Sequence, residues 1–315
     1  MLEVDRNQAL AFRLAGHHLH ERTDPLTAVA ACGIQEYPPG WSVVALHARA
    51  RGEADPSEVV TVNAMHGAVY VVPRRDAAVF TVALVPDEAG LKAFVGAGTA
   101  REVAEAGFTV REALDLVAAA AREGLAAGPL GVTYMPAKAT FALADYPVMP
   151  LVEARAELVR RFLRCFGPGT HSQLAAWART SPDHARALFE QVSDELEPVR
   201  MDGSRRFVLA ADLSRLEDPP RARGVHLLGG FDPYVTQPDR TTLVPDAALR
   251  RRLFPSVGRP GVVLRDGELA GLWRGRKKGD VLELELDWLG RAADIAGDAE
   301  AVARLRGCRT ARLAA

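Results

Sequence analysis

The stretch Cys32 to Trp41 reads C-G-I-Q-E-Y-P-P-G-W and sets an amide, a carboxylate and a phenol side by side, immediately before two prolines. Pro38 pushes Tyr37 out of helical space toward an extended conformation, and Pro39 does the same to Pro38. If Gln35 and Glu36 are extended as well, a period of two points Gln35 and Tyr37 one way and Glu36 the other. An oriented amide can hold a water. A phenol with a pKa near 10 is a poor base at neutral pH, yet it donates or accepts a hydrogen bond. Local twist turning Glu36 inward, as a substitute carboxylate, is the alternative. The bland reading is a rigid inter-helix connector with Tyr37 packed on Trp41.

Other candidate groups are scattered. W-R-G-R-K-K-G-D puts Arg274, Arg276, Lys277 and Lys278 on what reads as a basic hairpin turn, which could neutralise phosphates or merely be solvated. F-D-P-Y-V-T-Q-P-D-R offers Asp232, Tyr234, Gln237 and Arg240, with Asp232 before Pro233 also a plain turn-former. His171, Ser172 and Gln173 open a helix and serve either as caps or as groove contacts. His17, His18 and His20 lack an acid or thiol to complete a metal set, so no metal is expected. No phosphate-binding loop, nucleophile elbow or dinucleotide fingerprint occurs, and no cofactor is expected.

The elements that must position these groups follow from pattern. Helices are predicted over 5–20 with Asp5 as N-cap, from Asp24 to Gly33 and from Gly40 to Arg51, then two β segments around Gly67 ending at Pro73. Helical segments are predicted at 74–84, 87–95 and 109–126. From Pro150 a strong amphipathic helix leads through G-P-G-T-H to a helix capped by Thr170 or Ser172. The next helix has Ser181 as N-cap and Pro182 at its first position, and a hairpin turns at Asp202-Gly203. Helix, helix, helix, hairpin is the order of a winged helix, and it occurs twice. The final third is richer in β structure, with V-L-E-L-E-L-D-W alternating as a half-buried strand, then a helix near 297–306 and a ragged tail.

The 315 residues allow two or three domains, and 48% hydrophobic with 25% charged residues is ordinary for a soluble globular chain. Three widely spaced cysteines suggest neither disulfides nor a zinc site, consistent with a reducing cytoplasm. An acidic N-terminus and the lack of a long apolar run predict no signal peptide and no membrane span. A net charge of −1 gives no overall basic footprint, although only four of the 39 basic residues are lysine. Arginine suits phosphates, and it is also what a G+C-rich genome supplies.

Several segments in order resemble one family, the bacterial winged-helix DNA-binding proteins that include the AlkZ/YcaQ-type DNA glycosylases. They are R-N-Q-A-L-A-F-R, C-G-I-Q-E-Y followed by A-L-H-A-R, A-M-H-G-A-V-Y-V-V-P-R-R-D, F-G-P-G-T-H-S-Q-L-A-A-W, L-L-G-G-F-D-P-Y-V-T-Q-P-D-R and G-V-V-L-R-D-G-E-L-A-G-L-W-R. The resemblance implies an α+β fold of tandem winged-helix units with a β-rich C-terminal part, forming a cleft for double-stranded DNA. The units expected are 1–128, 129–215 and 216–315. It also implies release of N7-alkylated guanine, including crosslinked guanine, by a cytoplasmic, nucleoid-associated monomer.

In that family the motif is glutamine, an apolar residue, then glutamine or aspartate, and the two polar side chains are catalytic. Here Gln35 fits the first place, Glu36 replaces the apolar residue and Tyr37 stands in the second. The family's M-R-G-T-x-H is M-H-G-A-V-Y, so His66 replaces an arginine and Tyr70 a histidine. The catalytic set implied is Gln35 with Tyr37 or Glu36. The DNA-contacting set is His66, Asp232, Gln237, Arg240, Arg274, Arg276, Lys277 and Lys278. Because Tyr37 replaces an amide or carboxylate, a non-catalytic DNA-binding protein or regulator stays open, as does a winged-helix module that binds protein.

Overall fold

The first helix forms where the sequence places its cap. Asp5 accepts the N–H of Gln8 while the Gln8 side chain accepts the N–H of Asp5, a reciprocal pair that starts α1 (Arg6–Gly16). In the computed structural model, residues 1–65, 68–84, 112, 131–135, 138–142 and 149–314 are described. Next come α2 (Pro25–Cys32), capped by Asp24, and α3 (Ser42–Arg49). The strands β1 (Glu3–Val4), β2 (Ile34–Gln35), β3 (Val59–Asn63) and β4 (Val69–Pro73) lie among them. At 74–84 the helical segment predicted from the sequence takes the 3₁₀ form (Arg74–Phe80 and Val82–Leu84). Gly67, His66 and the helices predicted at 87–95 and 109–126 lie outside the described residues, apart from Glu112.

Among the described residues the longest helix is α4 (Leu151–Phe166), followed by α5 (His171–Ala178) and α6 (Pro182–Gln191). Thr170 is the α5 cap, with Gln173 reciprocating, and Ser181 caps α6. The hairpin β7 (Leu196–Met201) and β8 (Ser204–Leu209) turns at Asp202 and Gly203, both with positive φ, as a tight two-residue turn requires. Then follow α7 (Leu213–Glu217), α8 (Arg240–Leu243) and α9 (Ala247–Leu253).

The three sheets make the fold α+β, as expected. Among the described residues they run β1-β7-β8, then β2-β4-β3-β5-β6 with β5 (Gly131–Met135) and β6 (Lys138–Ala142), and a C-terminal sheet of five strands. The C-terminal order is β13-β12-β11-β10-β9, from β9 (Val225–Leu228), β10 (Gly261–Arg265), β11 (Glu268–Lys278), β12 (Val281–Trp288) and β13 (Thr310–Leu313). The tail expected to be ragged is instead the edge strand β13, parallel to β12, and α10 (Ala296–Leu305) precedes it. Among the described residues no helix is long and apolar enough to cross a membrane.

Both helix-and-hairpin runs read from the sequence are present, but α1 packs with the second. β1 pairs in parallel with β7, and Ala9 and Phe12 are buried with Val199, Met201 and Val208. The approach to α4 is so close that a Cβ on Gly16 would lie 1.9 Å from the Arg164 carbonyl oxygen.

Buried charge ties the ends of the chain together. Arg49, the last residue of α3, is 2% exposed and holds Asp232 bidentately at 2.8 and 3.0 Å, while its other N–H groups reach the His17 and Ala45 carbonyls. Asp232 also accepts the Tyr234 N–H at 2.9 Å. Arg13, fully buried on α1, donates to the Gly167 carbonyl at 3.0 Å, Gln237 at 2.7 Å and Asp239 at 3.1 Å. Burial works against the Asp239 carboxylate, yet Arg13, Arg206 and the Thr242 hydroxyl together hold its pKa well below the usual range.

Two outcomes follow for urea unfolding. Gly16→Ala is expected to cost about 1–3 kcal/mol, because a helix backbone must move to admit one methyl. Asp232→Asn is expected to cost about 3–5 kcal/mol, because it strands a buried guanidinium; a loss below half of the lower figure would show that the pair is not a structural clasp.

Candidate active site

The segment 34–42 starts as a strand and ends as a helix cap. Ile34 pairs with Val71 and Gln35 with Tyr70, and the Glu36 N–H continues the ladder to the Val69 carbonyl at 2.8 Å. Directly opposed residues share a sheet face, so Gln35 lies on the side of Tyr70. Tyr70 is buried, and burial pushes its phenol above the ordinary range. Gln35 is half-buried at the end of the strand.

Glu36 turns the other way, as the alternation predicts. Its two carboxylate oxygens accept the N–H groups of Gly40 and of Ser42, the latter at 3.0 Å. Ser42 opens α3, whose cap residue Trp41 makes no side-chain capping bond, so a carboxylate supplied from six residues upstream satisfies the helix N-terminus. The expectation that Glu36 could turn inward as a substitute catalytic carboxylate is corrected here, since both oxygens are engaged in closing the loop. Gly40 sits at φ +80, where a side chain would be strained.

Tyr37 is left 51% exposed, its ring meeting Phe231 edge to face at 5.0 Å. The alternative packing of Tyr37 on Trp41 does not occur. Trp41 instead lies 5.7 Å from Trp273, with the Arg306 guanidinium 4.5 Å over its ring. The glycine pair before Phe231 explains the close fit. A Cβ on Gly229 would lie 2.5 Å from the Trp41 ring, and one on Gly230 would lie 2.6 Å from the Pro260 carbonyl oxygen. The loop 35–41 and α3 are thus fastened to 229–232 at three points, through Tyr37, Trp41 and Arg49.

The remaining sequence candidates divide. Asp232 and Gln237, expected at a DNA surface, are 3% and 1% exposed and spend their polar atoms on Arg49 and Arg13, so neither is presented to a groove. Gln237 also donates to the Tyr234 carbonyl at 2.9 Å. Arg240 is exposed, with its guanidinium 4.4 Å over the Phe254 ring. Arg274, Arg276, Lys277 and Lys278 lie on β11 itself, not on a loop, because the turn comes at Gly279 and Asp280. Cross-strand pairing sets Arg274 opposite Glu285 and Arg276 opposite Glu283. Lys278 makes an ion pair with Glu283, Lys277 donates to the Gly307 carbonyl at 2.9 Å, and Arg274 donates to the Gly258 carbonyl. The basic cluster is therefore partly balanced by the acidic face of β12. His66 lies outside the described residues.

Sequence reasoning missed Phe231, Phe254 and Arg259 as neighbours of the loop. Arg259 lies 4.7 Å over Phe231 and 5.5 Å from the centre of Phe254. The signal available was the glycine pair before Phe231 and the proline- and glycine-bounded run F-P-S-V-G-R-P, both marks of close backbone packing.

The histidines do not form the set considered from sequence. α1 ends at Gly16 and His18 has φ 55, so His17 and His20 share no helix face. His17 instead meets Cys32 and Cys165, with the three donor atoms within 4.8 Å of one another and all three residues buried. Burial holds the His17 imidazole neutral, well below its ordinary range. The Cys32 thiol is raised well above its ordinary range by its hydrogen bond with Cys165 and by burial. A protonated Cys32 thiol and a neutral ring, both enclosed by the core, are what packed interior side chains show.

Comparison with known proteins bears on the family and the fold. The family described as DNA glycosylase AlkZ-like matches residues 99–308. An interstrand DNA cross-link repair glycosylase from Streptomyces sahachiroi is 32% identical over 150 residues, covering 43% of this chain and 40% of that protein. The match thus spans less than half the length of that relative. The solved structure of Streptomyces sahachiroi DNA glycosylase AlkZ superimposes with a TM-score of 0.73 over 99% of this chain and 100% of that one, at 20% identity, a likeness of fold. On the family match, this chain belongs to the AlkZ-like DNA glycosylases.

Proposed function

We propose that this protein is a DNA glycosylase that hydrolyses the N-glycosidic bond of N7-alkylated guanine in duplex DNA, including guanine held in an interstrand crosslink, acting as a cytoplasmic monomer. The observation that carries the proposal is the Gln35 amide, half-buried at a strand end beside an exposed Tyr37, on a loop fastened to the C-terminal sheet in a protein of the AlkZ-like family. The Streptomyces sahachiroi relative is named for repair of interstrand crosslinks, which supports the substrate class.

The chemistry asks little of the protein. An N7-alkylated guanine is already cationic, so its bond to C1′ is weak and the base departs with the bonding electron pair. What remains is to hold a water near C1′ and to stabilise an oxocarbenium-like sugar. The Gln35 carbonyl accepts a hydrogen bond from that water, and the water's oxygen adds to C1′ while its proton passes to solvent. Tyr37 contributes a hydroxyl that donates or accepts, with its ring held by Phe231. Glu36 shapes the loop. Arg240 contacts the DNA backbone, and Arg274 and Arg276 on β11 lie along the same strand of basic residues.

A second reading rests on a specific observation. With Tyr37 in place of an amide or carboxylate and Glu36 spent on the loop, the site has a single committed water-holding group, which suits a DNA-binding protein without catalysis.

Single-turnover release of N7-methylguanine from alkylated duplex separates the two. The glycosylase reading predicts release by the wild-type protein and a rate about 100-fold lower for Gln35→Ala. An unchanged rate in Gln35→Ala removes this residue from the mechanism. Salt-dependent duplex binding without any release by the wild type assigns the protein to the non-catalytic reading.

A further inference from the structure

Most arginines near the site are spent internally: Arg49 on Asp232, and Arg13 and Arg206 on Asp239. Arg240 and Arg259 differ, since neither has a carboxylate partner among the described residues. Both guanidinium groups lie against Phe254, at 4.4 and 5.5 Å from the ring centre, and Arg259 also covers Phe231 at 4.7 Å. Phe231 in turn carries the edge of Tyr37 at 5.0 Å. The order is therefore Tyr37, Phe231, Arg259, Phe254, Arg240, an alternation of rings and cations that begins at the loop bearing Gln35.

Two like charges set against one ring repel, and no carboxylate among the described residues pairs with either of them. Burial, then the field of Arg240, lowers the proton affinity of Arg259. The Arg259 Nε has no hydrogen-bond partner among the described residues, and its Nη1 reaches only the Gly230 carbonyl at 3.4 Å. That Nε is itself buried, whereas stacking engages the flat faces of a guanidinium and leaves its terminal Nη edges available, which is the orientation that suits bonds to phosphate oxygens. The backbone beneath is fixed, because Gly230 has no room for a Cβ between the Arg259 and Pro260 carbonyls.

We propose that Arg259 and Arg240 form a two-guanidinium subsite for backbone phosphodiesters of the strand whose nucleotide faces Gln35 and Tyr37. This rests on the duplex-DNA reading given above. The subsite sets the register of the reacting nucleotide, since phosphate contacts position a duplex without reading its sequence. Phe231 and Phe254 hold the cations in place before DNA arrives, so little side-chain freedom is lost on binding.

The test is binding of a fluorescently labelled duplex with one central N7-methylguanine, measured by anisotropy over a series of salt concentrations. For the Arg240→Gln/Arg259→Gln protein, the slope of log affinity against log salt is expected to be shallower than wild type by about 1 to 2. An unchanged slope in the folded double variant overturns the subsite. A second measurement keeps the wild-type protein and replaces single phosphates flanking the lesion with neutral methylphosphonates. Weakened binding at one or two positions beside the lesion on its own strand is expected, and no weakening at any flanking position overturns the proposal even if the double variant fails to fold. Failure of the wild type to bind duplex at low salt defeats both the subsite and the DNA reading, whereas binding without base release defeats only the catalytic reading.

Discussion

The bidentate pair between Arg49 and Asp232 is the constraint on which the candidate site depends. It joins the end of α3 to the turn after β9, residues 183 apart in sequence, in a place from which water is nearly excluded. Burying two charges is costly unless every lone pair and proton finds a partner. Here the remaining donors of Arg49 go to the His17 and Ala45 carbonyls, and Asp232 takes the Tyr234 N–H as well. Because α3 begins where the Gln35 loop ends, this clasp and the contact of Trp41 with Gly229 fix that end of the loop, while Tyr37 on Phe231 fixes its middle.

A second knot does the same for the central unit. Arg13 gathers the Gly167 carbonyl, Gln237 and Asp239, and Arg206 joins on Asp239. Apart from Arg206 on β8, these residues come from R-N-Q-A-L-A-F-R, F-G-P-G-T-H and F-D-P-Y-V-T-Q-P-D-R, segments far apart in the chain. Their polar residues read as surface chemistry in one dimension and turn out to be internal ties in three. A carboxylate or amide that faces a buried arginine has no sequence signature of its own, which is why Asp232 and Gln237 looked like DNA contacts.

What was legible in the sequence was local. Asp5, Asp24, Thr170 and Ser181 announced helix starts, and each accepts the expected backbone N–H. Asp202-Gly203 announced a turn, and the extended run that the sequence left conditional at Gln35 and Glu36 is realised as β2 and its continuation to Val69. Long-range pairing was not legible. Nothing in E-V at positions 3 and 4 says that it adds a parallel strand to β7, and nothing in the tail says that Thr310 to Leu313 borders β12. The basic run 274–278 was misplaced because a strand of 11 residues continues past Gly275, where alternation breaks and a turn was expected. Phe231, Phe254 and Arg259 became neighbours of Tyr37 only through the fold.

The departure at Tyr37 acquires a physical sense from its surroundings. An aspartate there would add a carboxylate to a site otherwise bounded by cations and rings, whereas the half-exposed phenol sets its ring edge to face with Phe231. The central claim is that segments 34–42 and 254–260, with the half-buried Phe231 ring of the otherwise buried segment 229–232 between them, form one surface on which the duplex lies. Amide hydrogen exchange, followed with and without a duplex carrying N7-methylguanine, tests it most directly. Slowed exchange in all three segments together on adding DNA is predicted; protection elsewhere with 34–42 unchanged would contradict it.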